Sequence, residues 1–112
     1  MNPLDLTTSP TERGCVVAMI GELDFHTSPL AHQALRDLSL LPGQQLVLDL
    51  GGLTFCDSSG LTVLVAAHNR TQSLQASLAL AAVSDNLARI LRIVGLDQIL
   101  TVYETAEAAV LG

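Results

Sequence analysis

Asp57-Ser58-Ser59-Gly60 places two hydroxyls directly behind a carboxylate. Two kinds of chemistry suit such a group. A serine can attack a substrate when a base takes its proton, or it can itself receive a phosphoryl group. The first needs partners that this chain does not display. The flanking glycines of a nucleophile elbow are missing, and no His has a readable relation to the serines. His26, His32 and His68 lack metal-ligand spacing. Asp24 and Asp57 would make a carboxylate pair only if the fold joined them. Gly51-Gly52 stands alone, and there is no Lys to serve a phosphate loop. Cys15 and Cys56 form neither a disulfide framework nor a metal motif, and their apolar contexts predict buried free thiols. No catalytic, metal or cofactor site is expected. From these residues alone the hydroxyl reads first as an ordinary helix N-cap, with phosphorylation left as an open alternative.

The elements around it must hold it outward. Leu46 to Leu50 is apolar except at Asp49, the pattern of a strand covered on both faces. Gly51-Gly52 reads as a break, followed by the short apolar segment Leu53 to Cys56. Leu61 to Ala67 then continues as a helix with few stop signals. Ser58 or Ser59 is expected at its mouth, where a side-chain oxygen accepts an otherwise unpaired N–H near the positive end of the helix dipole. A phosphate added there would sit near free N–H donors.

Elsewhere, Leu4 to Leu6 suggests a short strand before a turn-rich Thr7 to Gly14, and Cys15 to Ile20 a second strand. A polar loop over Gly21 to Thr27 leads to Ser28 as an N-cap with Pro29 in the first turn. Ser77 to Val83 is a further strand. Ser84 caps a helix with an apolar stripe of Leu87, Ile90, Leu91 and Val94, which Gly95 stops. Ile99 to Tyr103 is a last strand, and Thr105 caps a short Ala-rich helix. Strands alternating with helices predict an α/β domain with a largely parallel sheet, its right-handed crossovers setting the helix starts along one edge.

At 112 residues, 49% hydrophobic and 14% charged, the chain is expected to fold as one domain over 1–112. No apolar run reaches the ~18–20 residues of a membrane span, and Met1 to Asp5 shows no secretory signal, so a cytoplasmic location is expected. The net charge is −6, carried by 11 acids against five Arg. That balance argues against nucleic acid or an anionic membrane as partner and is compatible with a protein that presents a basic surface.

Gly21-Glu22-Leu23-Asp24, Leu48-Asp49-Leu50, the run from Leu53 through Asp57-Ser58-Ser59-Gly60-Leu61, and Ile90 to Leu96 together resemble the STAS domain of bacterial anti-sigma factor antagonists. The likeness runs from about Cys15 to the C-terminus. It implies a small, largely parallel or mixed sheet of four to five strands flanked by about four helices. It also implies a binding protein rather than an enzyme, one whose partner is an anti-sigma factor with serine kinase activity. On this resemblance the kinase phosphorylates Ser58, which breaks the complex, and a serine phosphatase restores it. Asp24, Asp57 and Ser59 match positions beside the acceptor, and with Gly60, Leu61 and Thr62 they are the expected partner-binding residues. The alternative is a STAS adaptor subunit of a transport or signalling assembly that carries no phosphate. Two departures stand out: Thr62 where a Gly commonly follows Gly-Leu, and Gln75-Ala76 where Gly-Gly is frequent.

The physics of such a switch is independent of the likeness. A phosphate adds roughly −1.5 to −2 charge. One like-charge pair at about 5 Å and an effective dielectric of ~20 costs roughly 3 kcal/mol, about a hundredfold in affinity.

Overall fold

The structure, a computed structural model, describes residues 3–112. Met1 and Asn2, part of the domain expected over 1–112, lie outside the described residues. The elements follow the order β1 (Leu4–Thr11), β2 (Gly14–Leu23), α1 (Ser28–Asp37), β3 (Gln45–Cys56), α2 (Ser58–Ser73), β4 (Ser77–Ala81), α3 (Asp85–Ile93), a 3-10 turn (Leu96–Gln98), β5 (Thr101–Tyr103) and α4 (Ala106–Leu111). The five strands form one sheet in the order β1-β2-β3-β4-β5. The β1–β2 pair is antiparallel and the other three pairs are parallel. This is the mixed α/β arrangement that the sequence predicts.

The three parallel crossovers all advance across the sheet in one direction, so right-handedness puts α1, α2 and α3 on the same face. Val17, Met19, Leu46, Leu48, Leu50 and Leu80 point into that layer and meet Ala31, Leu35, Val63, Leu64, Leu87 and Leu91. Alternation along β3 and β4 sends Val47, Ala79 and Ala81 to the other face, where they pack with Ala109 of α4. Arg70, near the end of α2, donates to the carbonyls of Leu35 (3.1 Å), which also accepts the Leu38 N–H, and of Arg36 (2.8 Å), and so ties the end of α1 to α2.

Two strands outrun the expectation from local sequence. β1 continues to Thr11 because β2 pairs with every residue of it, from Leu4↔Gly21 to Thr11↔Gly14. Its Ser, Thr and Pro content signals turns locally, but an edge strand tolerates Pro10, which has no N–H to donate. β3 likewise runs through Gly51-Gly52 instead of breaking there. Ala18 pairs with Asp49 and Ile20 with Gly52, so one extra β3 residue is accommodated as a bulge. A second shift lies between Gly21 and Glu22. At Gly52 a Cβ would come within 2.8 Å of the Ile20 side chain, so the glycine allows this close approach. β5 starts at Thr101, because the 3-10 turn claims the chain before it.

β4 pairs with β3 only as far as Asp49↔Ala81. Residues 50–56 therefore extend beyond it, and their uncovered side meets the start of α3. The space between is a cleft of about 270 Å³ with Leu50, Leu53, Phe55, Leu87 and Ile90 among its walls and Ser84 and Asn86 on its rim.

Candidate functional site

α2 begins at Ser58, directly beyond the carboxyl end of β3. The mouth of the helix lies where the sequence places it, but its cap is Asp57 rather than Ser58 or Ser59. The Asp57 backbone is extended, and its Oδ1 accepts the N–H groups of Ser59 (2.8 Å) and Gly60 (3.2 Å). A carboxylate satisfies these donors better than a hydroxyl because its charge also meets the helix dipole. Two of the donors expected to be free for a phosphate are thus already occupied. Ser58 is relieved of capping. It is exposed, and its hydroxyl has no hydrogen-bond partner among the described residues.

Neighbouring residues lock this corner. The Asp57 N–H donates to Leu23 O at 3.3 Å, so the ends of β2 and β3 are tied side by side. Gly60 is buried in the joint: a Cβ there would lie 2.5 Å from Cys56 Sγ and 3.0 Å from Leu23 O. Gly60 is also among the expected partner-binding residues; its contacts within the described chain are packing contacts. Ser59 and Leu61 are half-buried, Val63, Leu64 and Ala67 are buried, and Thr62 is exposed. Thr62 Oγ1 donates back to Ser58 O at 3.0 Å, an i−4 contact that the commoner Gly could not make.

Asp24 follows β2 as Asp57 follows β3, and the pairing Leu23↔Cys56 brings their two loops to adjacent strand ends. Asp24 is not a freely solvated carboxylate. Its Oδ1 accepts the N–H of His26 (2.9 Å) and of Thr27 (3.0 Å). The Thr27 N–H bond foremost, then that of His26, holds its pKa below the usual carboxylate value. Thr27, rather than Ser28, stands at the start of α1, and its hydroxyl donates to Glu22 O at 2.8 Å. Ser28 is the first helical residue, with Pro29 in the first turn as expected.

Nucleophilic chemistry finds no support here. Both cysteines are free, and both are half-buried rather than fully buried. Burial, with the Asp57 charge, pushes the Cys56 thiol up to about 11, and burial raises Cys15 as well. The Cys56 thiol donates to Asp57 O at 3.8 Å and stays protonated near neutral pH. Among the described residues no cluster of His, Cys, Asp or Glu is arranged to hold a metal. No helix of the described chain is long and apolar enough to cross a membrane.

The sequence reading did not single out two residues that border this corner, Phe25 and Phe55. They are 74% and 52% exposed. Their aromatic character was the available signal, but exposure of an apolar residue cannot be read from its neighbours in sequence.

The STAS domain profile matches residues 5–109. The chain belongs to the STAS domain family. An anti-sigma-B factor antagonist of Listeria monocytogenes is 34% identical over 86 residues, 77% of this chain and 75% of that protein. An anti-sigma F factor antagonist of Paenibacillus polymyxa is 30% identical over 90 residues, 80% of this chain and 77% of that protein. Among solved structures, an anti-sigma factor antagonist from Mycobacterium paratuberculosis superposes with a TM-score of 0.82 at 25% identity, covering 96% of this STAS domain and 92% of that chain.

Proposed function

We propose that this STAS domain is an anti-sigma factor antagonist: it binds an anti-sigma factor that carries serine kinase activity and is released from it by phosphorylation at Ser58. The observation that carries this reading is the placement of Ser58, exposed on the first turn of α2 with its hydroxyl unengaged while Asp57 does the capping. The names of the relatives support the partner class. Asp24, Asp57, Ser59, Leu61 and Thr62 surround the acceptor in the proposed interface, with Gly60 setting the angle of the helix against β2.

A phosphate on Ser58 would stand next to the Asp57 carboxylate at the helix mouth. The dipole favours it and the neighbouring acid opposes it, so the fold tolerates the change with little net effect. A docked partner that meets two added negative charges at short range does not tolerate it. The protein then works as a binding switch with no catalysis of its own, reset by a serine phosphatase. It acts on sigma-dependent transcription in the cytoplasm, as one domain over 1–112 with no cofactor.

The test is a pull-down from the native host's extract with wild type and Ser58→Asp, followed by mass spectrometry and calorimetry on the recovered anti-sigma factor. Ser58→Asp is expected to bind about a hundredfold more weakly. Ser58→Ala is expected to lose labelling by that partner and ATP. Undiminished labelling of Ser58→Ala would move the acceptor elsewhere, and an Asp variant that binds as wild type does would defeat the charge mechanism.

A further inference from the structure

We infer that Phe25 and Phe55 are the aromatic anchors by which this domain grips the anti-sigma factor, each seated in an apolar pocket with a basic rim on the partner. This deepens the reading above and rests on it.

The chain has two phenylalanines, and neither belongs to its core. The buried apolar set is made of Leu, Val, Ala and Met, while Phe25 and Phe55 stand 74% and 52% exposed. Aromatic rings left in water represent a large unrealised gain on burial, and they are over-represented among the residues that dominate binding energy. Their location is specific. Phe55 pairs with Glu22 across β2 and β3, one step before the Leu23↔Cys56 pair that ties the two strand ends. Phe25 lies two residues beyond Leu23, and Ser58 two residues beyond Cys56. Both rings therefore belong to the strand-end corner that bears the proposed acceptor.

Phe25 is displayed on a fixed turn. Asp24 Oδ1 accepts from His26 N and Thr27 N, Asp24 N donates to Thr27 Oγ1 at 2.9 Å, and Ser28 N donates to Asp24 O at 2.8 Å. These bonds enclose Phe25, whose ring meets that of His26 edge to face at 5.9 Å between centroids. A turn ordered before docking loses little conformational entropy on binding.

Charge selects the partner. Glu22, Asp24 and Asp57 lie at this corner, and of the five arginines only Arg89 comes near it, donating at 3.1 Å to Asn86 Oδ1 on the far side of the cleft that Phe55 lines. α1 and α2 start at the carboxyl ends of the strands, so Arg36 and Arg70 in their last turns belong to the opposite end of the sheet. Arg13, in the turn before β2, lies at that opposite end too, and Arg92 is in the last turn of α3. A surface that buries two rings among three acids complements a pocket edged with Lys or Arg. An added phosphate would still oppose docking despite a basic rim, because closing the partner over it strips water from a doubly charged group set beside the Asp57 carboxylate. The rings supply the affinity, and Ser58 controls whether they can seat.

The test titrates purified anti-sigma factor, recovered as described above, with Phe25→Ala, Phe55→Ala, the double variant and Ser58→Asp. The expected result is a loss of about tenfold or more for each single Phe variant and a larger loss for the double. The melting temperature of Phe25→Ala should match wild type, because its ring is exposed. Affinities within twofold of wild type for both Phe variants, with Ser58→Asp impaired, would overturn the anchors and leave the switch standing. Failure of wild type itself to bind would overturn both.

Discussion

The Asp57 carboxylate accepts the backbone N–H of Ser59 at 2.8 Å, so the acid that precedes the exposed hydroxyl is itself the cap of the helix that the hydroxyl begins. Its neighbour Gly60 donates to the same oxygen. Asp57→Ala should therefore destabilise the fold by about 1 kcal/mol even without a partner, whereas Asp57→Ser should retain much of the cap. Urea denaturation of the two variants measures this. Equal midpoints for wild type and Asp57→Ala would show that the cap is energetically idle.

Gly60→Ala asks the joint between α2 and β2 to admit a methyl where Cys56 Sγ and Leu23 O already stand. The expected cost is about 1–3 kcal/mol. Cys56→Ala combined with Gly60→Ala should be less destabilised than the sum of the single changes, because the sulfur is the closer obstacle. Strict additivity in a denaturation cycle would place the strain elsewhere.

Asp24 gives a pH signature. Its pKa is lowered in the folded chain by N–H bonds from Thr27 and His26. The unfolded state then binds the proton more readily, so the stabilisation is fully present above the ordinary Asp value of about 3.9 and is lost as pH falls through the lower folded value. The stability difference between wild type and Asp24→Asn should be largest near neutral pH and shrink in acid. A difference that stays level from neutral pH to about pH 2 would remove the charge from the account.

Gln75 occupies left-handed backbone, with φ of 60°, between α2 and β4. This is one of the two positions where Gly-Gly is frequent in the family and Gln75-Ala76 stands here. An L side chain at such a φ costs about 1–2 kcal/mol, partly offset in glycine by the greater freedom of its unfolded chain. Gln75→Gly should raise stability by up to about 1 kcal/mol, read as a higher melting temperature, and an unchanged or lower one would refute it.

Local chemistry was legible residue by residue. Ser84 accepts from Leu87 N at 3.1 Å and Thr105 from Ala108 N at 3.0 Å, as their place before periodic apolar residues implies. Gly95 takes φ of 81° at the end of α3, the stop its position signals. Each of these depends on a donor, acceptor or torsion within a few residues. Ser58 and Ser59 could not be separated from Asp57 in the same way, because all three are competent caps and backbone geometry selects among them.

The order of strands and helices, the mouth of α2 and the serine beside it were determined by sequence alone, since periodicity and capping act over one or two turns. Tertiary structure decided the rest. β1 reaches Thr11 and β3 crosses Gly51-Gly52 because distant partners supply their hydrogen bonds. Gly60 is buried because Leu23 and Cys56 close over it, and Phe25 is exposed because no element covers the turn that carries it. Pairing and covering join residues far apart in the chain, and no local pattern encodes which surface is left open.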